Sequence, residues 1–367
     1  MFHGLGTGTG ASQPRTLEWH EPCTSPRDPA LPSMPLSYRQ FGATGLKVSE
    51  LGLGCSPLGG GLFRYDGREA REVLHAALDL GINFFDTADN YSVGESERLL
   101  GRALRGRRER AVIATKGGAV FGAADRLLLR GRPLLRPLKG LLRGARRSIN
   151  LARDQRKRYD YSPQHLARAV ESSLRRLGTD YIDLYQIYNP TAESLRDSAV
   201  IETLDRLKDS GKIRHYGIAA NDLEDAAEIL EQFAVASVQV AVSLLDQQPL
   251  KALLGEARAR GVAVIASAPL GQGLLTDASG PAKADESSHF TTQELHTRRV
   301  RASACRRWVR PGRSLAQTAL RFALQCPGIS VVIPSAVTRA ELIENWGASA
   351  APPLSSDELT AIARTLG

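Results

Sequence analysis

The sequence predicts an α/β chain folded as a (β/α)8 TIM barrel. From Tyr38 onward, short apolar runs alternate with longer amphipathic ones, and the alternation repeats eight times. Glycine closes many amphipathic runs just before the next apolar one, at Gly81, Gly178, Gly211 and Gly261, where left-handed C-caps are expected. A doubly wound sheet would usually carry Gly-x-Gly-x-x-Gly after its first strand, and none stands there.

The expected strands are 51–54, 83–85, 112–114, 182–187, 213–218, 237–240, 263–266 and 329–333. Helices are expected at 69–80, 95–104, 163–177, 195–210, 223–233, 250–260 and 315–325, with 339–346 after the last strand. Residues 41–49 read as a hairpin capping the barrel floor. Two long loops, 117–162 and 272–312, interrupt the alternation; loops of that length usually belong to a binding face. Residues 36–367 thus read as a single barrel. Residues 1–35, rich in Gly, Pro, Ser and Thr, read as a disordered extension, and Met34, one of two methionines, as the alternative start. Gly6-Thr7-Gly8-Thr9-Gly10-Ala11 imitates a dinucleotide fingerprint but has no strand before it and no helix after it.

Composition narrows the class. The 367 residues are 42% hydrophobic and 24% charged, as in soluble globular proteins, and no apolar run reaches membrane-spanning length. Cys23, Cys55, Cys305 and Cys326 are scattered without paired spacing, which argues against a disulfide framework or a zinc site and fits a cytoplasmic protein. The net charge of +9 is concentrated in a basic insertion, 119–160, where leucines interleave with arginines. It reads as a solvated insertion; the sharper alternative is a surface for an anionic membrane or a phosphorylated ligand. Nucleic acid is not expected as a partner, because the arginine-rich stretch 126–158 within it offers no aromatic residues for base stacking.

Chemistry concentrates where strands empty into loops. Phe84-Phe85-Asp86 runs on to Tyr91, and Ala114-Thr115-Lys116 into Gly117-Gly118. In a parallel barrel those exits open on one face, where catalytic groups gather. A phenol beside an ammonium beside a carboxylate is a proton-donating set. The Lys116 charge is expected to lower the Tyr91 pKa, and Asp86 to hold Lys116 charged and aimed.

These segments together resemble the aldo/keto reductase superfamily across residues 37–347. The blocks are Leu53-Gly54-Cys55-Ser56-Pro57-Leu58-Gly59-Gly60, Gly81 through Tyr91, Gly94-Glu95-Ser96-Glu97, Leu174 through Leu184, Gly211-Lys212-Ile213-Arg214, Ala268 through Leu274, and Val332-Ile333-Pro334. The resemblance implies a barrel that binds NADP or NAD across its strand ends. It implies hydride transfer between the nicotinamide and an aldehyde, ketone or sugar hydroxyl, without a metal. Tyr91 then corresponds to the general acid, Lys116 to the residue tuning it, and Asp86 to the partner of Lys116. The implied cofactor contacts are Gln239 for the carboxamide and Pro269, Leu270, Gly271, Gly273 and Leu274 along the pyrophosphate. Pro334, Ser335, Arg339, Glu341, Glu344 and Asn345 correspond to the adenosine side.

Three departures stand out. Tyr188 occupies a position that is usually histidine, where a hydrogen-bond donor meets the substrate oxygen; Asn189 is the nearest substitute donor. Ala219-Ala220 replaces a usual serine–asparagine pair, leaving Asn221 to take over the carboxamide. Val242 stands where an aromatic ring often stacks on the nicotinamide. At the adenosine end Ser335 and Glu341 replace the usual basic residues, and Arg339 is the cation left to meet a 2′-phosphate. The leading expectation is an oxidoreductase acting on a small carbonyl or sugar substrate. The alternatives are a cofactor-binding regulatory or interaction protein with little turnover, and a lyase using Lys116 as a Schiff base.

Overall fold

The computed structural model describes residues 36–59, 67–120, 158–277 and 290–366, all within one compact unit, Ser33–Gly367. The extension 1–35 and most of the basic insertion lie outside those residues. The strands are β1 (Tyr38–Gln40), β2 (Lys47–Ser49), β3 (Leu53–Gly54), β4 (Phe84–Asp86), β5 (Val112–Gly117), β6 (Ala119–Val120), β7 (Arg158–Tyr159), β8 (Ile182–Tyr188), β9 (Ile213–Ala219), β10 (Ser237–Ala241), β11 (Ala263–Ser267) and β12 (Ile329–Ile333). Among the described residues the α-helices are α1 (Gly67–Asp79), α2 (Glu95–Ala103), α3 (Pro163–Leu177), α4 (Ala192–Leu195), α5 (Ser198–Asp209), α6 (Leu223–Gln232), α7 (Gln248–Ala259), α8 (Thr292–Ala304), α9 (Leu315–Gln325), α10 (Arg339–Trp346) and α11 (Ser356–Leu366).

Eight strands form one parallel sheet in the order β12-β11-β10-β9-β8-β5-β4-β3. Its two ends meet: Leu51 bridges Val332 in parallel, and Gly54 N–H donates to the Pro334 carbonyl at 2.9 Å. The (β/α)8 expectation is therefore met. Such strands are covered by helices outside and by packed side chains inside, so they are apolar along almost their whole length. β5 and β12 are buried at every residue.

The β1–β2 hairpin closes the floor. Phe41 is fully buried against Val48, Phe84, Leu184, Ile265 and Val331, its ring centroid 5.5 Å from that of Phe84. Gly42 is required beside it: φ is +55°, and a Cβ there would lie 2.4 Å from the Gly261 carbonyl oxygen. The C-cap glycines 81, 178, 211 and 261 all have positive φ, as expected.

The structure departs from the expected elements in four places. The helix expected at 195–210 is two, α4 and α5, because Asp197 turns to cap α5 by accepting from Ala199 N–H. The loop 272–312 contains α8, started by a reciprocal capping box of Thr291 and Glu294. The loop 117–162 opens with a short ribbon in which β6 and β7 pair antiparallel. Finally, α11 follows the last barrel helix and buries Ile362 and Leu366 against Leu315, Phe322 and Trp308.

At the strand starts, Asp183 ties three strands together. Its nearly buried carboxylate accepts from Arg108 at 2.6 Å, from Arg214 at 3.1 Å and from Ile113 N–H at 2.9 Å. The Tyr181 ring lies near both guanidiniums, at 4.1 and 4.4 Å. Removing one member of such a pair leaves buried charge uncompensated. Asp183→Ala is expected to lower unfolding free energy by about 3–5 kcal/mol, read from the urea midpoint.

Candidate active site

The parallel register places the polar strand ends side by side. Asp86 closes β4, Lys116 lies near the end of β5, and Gln186 pairs with Lys116 on β8. Lys116 Nζ donates to Asp86 Oδ1 at 2.5 Å, to the Thr87 carbonyl at 3.0 Å and to Tyr91 Oη at 3.4 Å. Asp86 and Lys116 are buried, and Tyr91 is partly exposed at the mouth. The structure thus brings together the carboxylate, ammonium and phenol singled out in the sequence.

The electrostatics differ from the expectation in one respect. Burial and then the nearby Asp86 carboxylate push the Tyr91 phenol well above its ordinary value, with Tyr188 and Cys55 adding to the rise. The expected lowering by Lys116 is outweighed: burial of the phenol and the Asp86 carboxylate, itself 2.5 Å from the ammonium, act against it. A phenol so raised holds its proton at neutral pH. Burial also lifts Asp86, opposed first by the Lys116 charge and then by hydrogen bonding from Lys116, Gln239 and Gln186.

Gln239 is buried, and its Oε1 accepts from Gln186 Nε2 at 2.9 Å. Gln186 Oε1 is itself buried and has no hydrogen-bond partner among the described residues. Sequence reasoning passed over Gln186; its place two residues before Tyr188 on the same strand was the available signal. Tyr188, partly exposed, ends β8. The Asn189 side chain is used locally, because its Oδ1 accepts from Asn221 N–H at 2.9 Å while the backbone is left-handed at φ +51°. Asn221 itself is exposed, Ala219 and Ala220 are buried, and Val242 is packed away with 1% exposure.

After β11 the backbone makes a left-handed turn at Ala268, Gly271, Gln272 and Gly273, flanked by Pro269, Leu270 and Leu274. A Cβ on Gly271 would come within 3.1 Å of Leu245, so the turn lies tight against its neighbour. After β12, Pro334 leads to exposed Ser335, and Thr338 caps α10 by accepting from Glu341 N–H. The Glu341 carboxylate accepts from Val337 N–H at 2.8 Å, Glu344 accepts from Ser314 Oγ at 2.9 Å, and Asn345 donates to the Ser335 carbonyl at 3.2 Å. Arg339 is partly buried in the first turn of α10.

Behind Tyr91 lies a second polar layer. Glu97 is fully buried; it accepts from Arg176 Nε at 2.5 Å and from Thr115 Oγ1, beside Lys116, at 2.7 Å. Ser92 and Val93 have φ of +52° and +57°, an arrangement a β-branched residue adopts only when its surroundings impose it. The Arg176 side chain lies over Gly94, where a Cβ would be 2.4 Å from its Cδ. The loop carrying Tyr91 is therefore clamped between α3 and the barrel. Asp89 lies in this loop. Burial and then the Glu97 charge raise its carboxyl to about 8, against the opposing pull of Arg176 and Lys116.

Comparison with known proteins agrees with this geometry. The Aldo/keto reductase family model matches residues 50–366. The uncharacterized oxidoreductase YqkF of Bacillus subtilis is 31% identical over 331 residues, covering 88% of this chain and 94% of that protein. The NADH-specific methylglyoxal reductase of Escherichia coli is 33% identical over 249 residues, covering 64% of this chain and 68% of that protein. The holo structure of aldo-keto reductase AKR11C1 from Bacillus halodurans is 30% identical. It superposes with a TM-score of 0.70 over 90% of this chain and 96% of that one. The chain belongs to the aldo/keto reductase family, a class of oxidoreductases.

The raised Asp89 carboxyl carries a pH signature. Between the unfolded carboxyl pKa near 4 and the folded value of about 8, the native state binds the extra proton, so rising pH removes stability. Asp89→Asn is expected to flatten this slope, with the variant gaining on the parent in unfolding midpoint as pH is taken from 5 to 9.

Proposed function

We propose that the protein reduces an aldehyde or ketone, or in reverse oxidises a sugar-like hydroxyl, with NADP(H) or NAD(H) as hydride carrier and Tyr91 as the proton donor. The observation that carries this reading is the buried Asp86–Lys116 pair directed at a partly exposed phenol, Nζ to Oη 3.4 Å. The residues suit a nicotinamide dinucleotide. The unpartnered Gln186 Oε1 is an acceptor for an amide N–H, and Gln186–Gln239 would hold the carboxamide. The left-handed turn Ala268–Gly273 would follow the pyrophosphate, and the start of α10 the adenosine side. The E. coli relative, an NADH-specific reductase, supports a cofactor of this kind.

When bound, the cofactor supplies a hydride to the carbonyl carbon. The side chains supply the proton. As the carbonyl oxygen gains charge, Tyr91 Oη gives up its proton to it, and the Lys116 ammonium stabilises the phenolate left behind. Asp86 keeps that ammonium in place, and solvent at the mouth returns the proton to Tyr91. Tyr188, where histidine is usual, would present a longer donor to the substrate. The balanced outcome is one carbonyl, one hydride and one proton converted to an alcohol.

Tyr91→Phe is expected to lower carbonyl reduction by about 10²-fold or more while cofactor binding, read by nicotinamide fluorescence, stays intact. Retained activity would remove Tyr91 from the role, and cofactor binding without turnover in the parent protein would favour a regulatory protein instead. Glu341→Gln is expected to tighten NADPH binding by about fivefold and to leave NADH nearly unchanged, because it removes an anion beside the expected 2′-phosphate. Parallel fluorescence titrations with the two cofactors check this.

A further inference from the structure

Three tyrosines outside the Asp86–Lys116–Tyr91 set lie in sequence at the barrel mouth. The rings of Tyr161 and Tyr159 are 6.0 Å apart and inclined by 13°; those of Tyr159 and Tyr188 are 6.4 Å apart and inclined by 24°. Both separations fall in the range of offset aromatic stacking. The far end is pinned, because Tyr161 Oη donates to the carbonyls of Tyr188 at 3.0 Å and Asn189 at 2.8 Å. Space for the Tyr161 ring exists because residue 118 is glycine: a Cβ there would lie 2.8 Å from Tyr161 Cε1. The middle ring is set by the short ribbon, where Tyr159 pairs with Ala119 and Asp160 N–H donates to the Gly118 carbonyl at 2.8 Å. All three residues are partly exposed. At the near end Tyr188 closes β8, two residues beyond Gln186, the residue that pairs with Lys116.

Assuming the reductase reading above, we propose that Tyr161, Tyr159 and Tyr188 form an aromatic shelf along the substrate pocket that favours carbonyl compounds bearing a flat ring, with Tyr159 as the specificity-determining residue. The reasoning is geometric. Near-parallel rings held from both sides lose little freedom when a further ring stacks on them, and the line of rings leads toward the phenol that delivers the proton. A saturated ring of similar size buries comparable area but offers no flat face. The shelf thus discriminates by shape and stacking rather than by hydrogen bonds.

The test compares benzaldehyde with cyclohexanecarbaldehyde in the full-length protein with its cofactor, and uses propanal as a substrate too small to reach the shelf. The readout is the ratio of kcat/KM for the two cyclic aldehydes, parent against variant, so that intrinsic reactivity cancels. Tyr159→Leu is expected to lower the ratio about fivefold to tenfold through KM, with propanal turnover unchanged. Tyr159→Phe, which keeps the ring, is expected to restore it. An unchanged ratio in a folded Tyr159→Leu overturns the shelf.

A second measurement needs neither the variant nor turnover. In ligand-observed NMR on the parent protein, benzyl alcohol is expected to bind several-fold tighter than cyclohexylmethanol, and equal binding overturns the shelf. Failure of the reductase reading looks different: no turnover of any aldehyde, propanal included, with either cofactor.

Discussion

The buried ion pair of Lys116 and Asp86 is the constraint around which the barrel mouth is arranged. Taking both charges out of water costs several kcal/mol per ion, and mutual attraction offsets it only with good geometry and further hydrogen bonds. Here the geometry comes from the sheet. β4 and β5 run parallel with Asp86 beside Ala114, so the lysine two residues further along reaches back to the carboxylate. The Thr87 carbonyl takes a second ammonium proton, and the amides of Gln186 and Gln239 oppose the rise in the Asp86 pKa. What remains of the ammonium is directed at Tyr91. A pair this strongly desolvated would be a liability in a purely structural protein, and that is why it points to chemistry.

The Tyr91 loop shows how the position of one phenol is paid for in local strain. Two left-handed non-glycine residues follow it directly, each costing of order 1–3 kcal/mol. Their conformation persists because the next turn is bolted down by Glu97, which holds Thr115 on one side and Arg176 on the other. The same layer includes Asp89, whose carboxyl is raised first by burial and then by the Glu97 charge. Strain in the loop, burial of Glu97 and the reach of Arg176 are parts of one device.

The two ends of the expected cofactor groove behave differently. Where the nicotinamide is expected, Ala219, Ala220 and Val242 are small and buried, and Gln186 on β8 hydrogen-bonds to Gln239 on β10. On the adenosine side, Glu341, Glu344 and Asn345 each make hydrogen bonds within the protein. The carboxylate of Glu341 closes the backbone before its own helix by accepting from Val337 N–H. On the proposed reading, that carboxylate would also bear on cofactor preference.

Much of this was legible in the chain. Strand and helix periods, glycine caps at 81, 178, 211 and 261, and the polar residues ending apolar runs determine a parallel barrel and name Asp86, Lys116 and Tyr91, because those signals depend on neighbours in sequence. The capping box at Thr291 and Glu294 was equally local, and it marked a helix inside what read as a loop. What only the tertiary structure decided depends on residues brought together from distant segments. The net direction of the Tyr91 shift is set by burial and by the carboxylate of Asp86, thirty residues from Lys116 in sequence, which together outweigh the pull of the ammonium. Glu97 meets Arg176, Gln186 meets Gln239, and Tyr159 meets Tyr188 only after the barrel closes. A spacing pattern can announce a strand end; the field and the packing at that end belong to the folded chain.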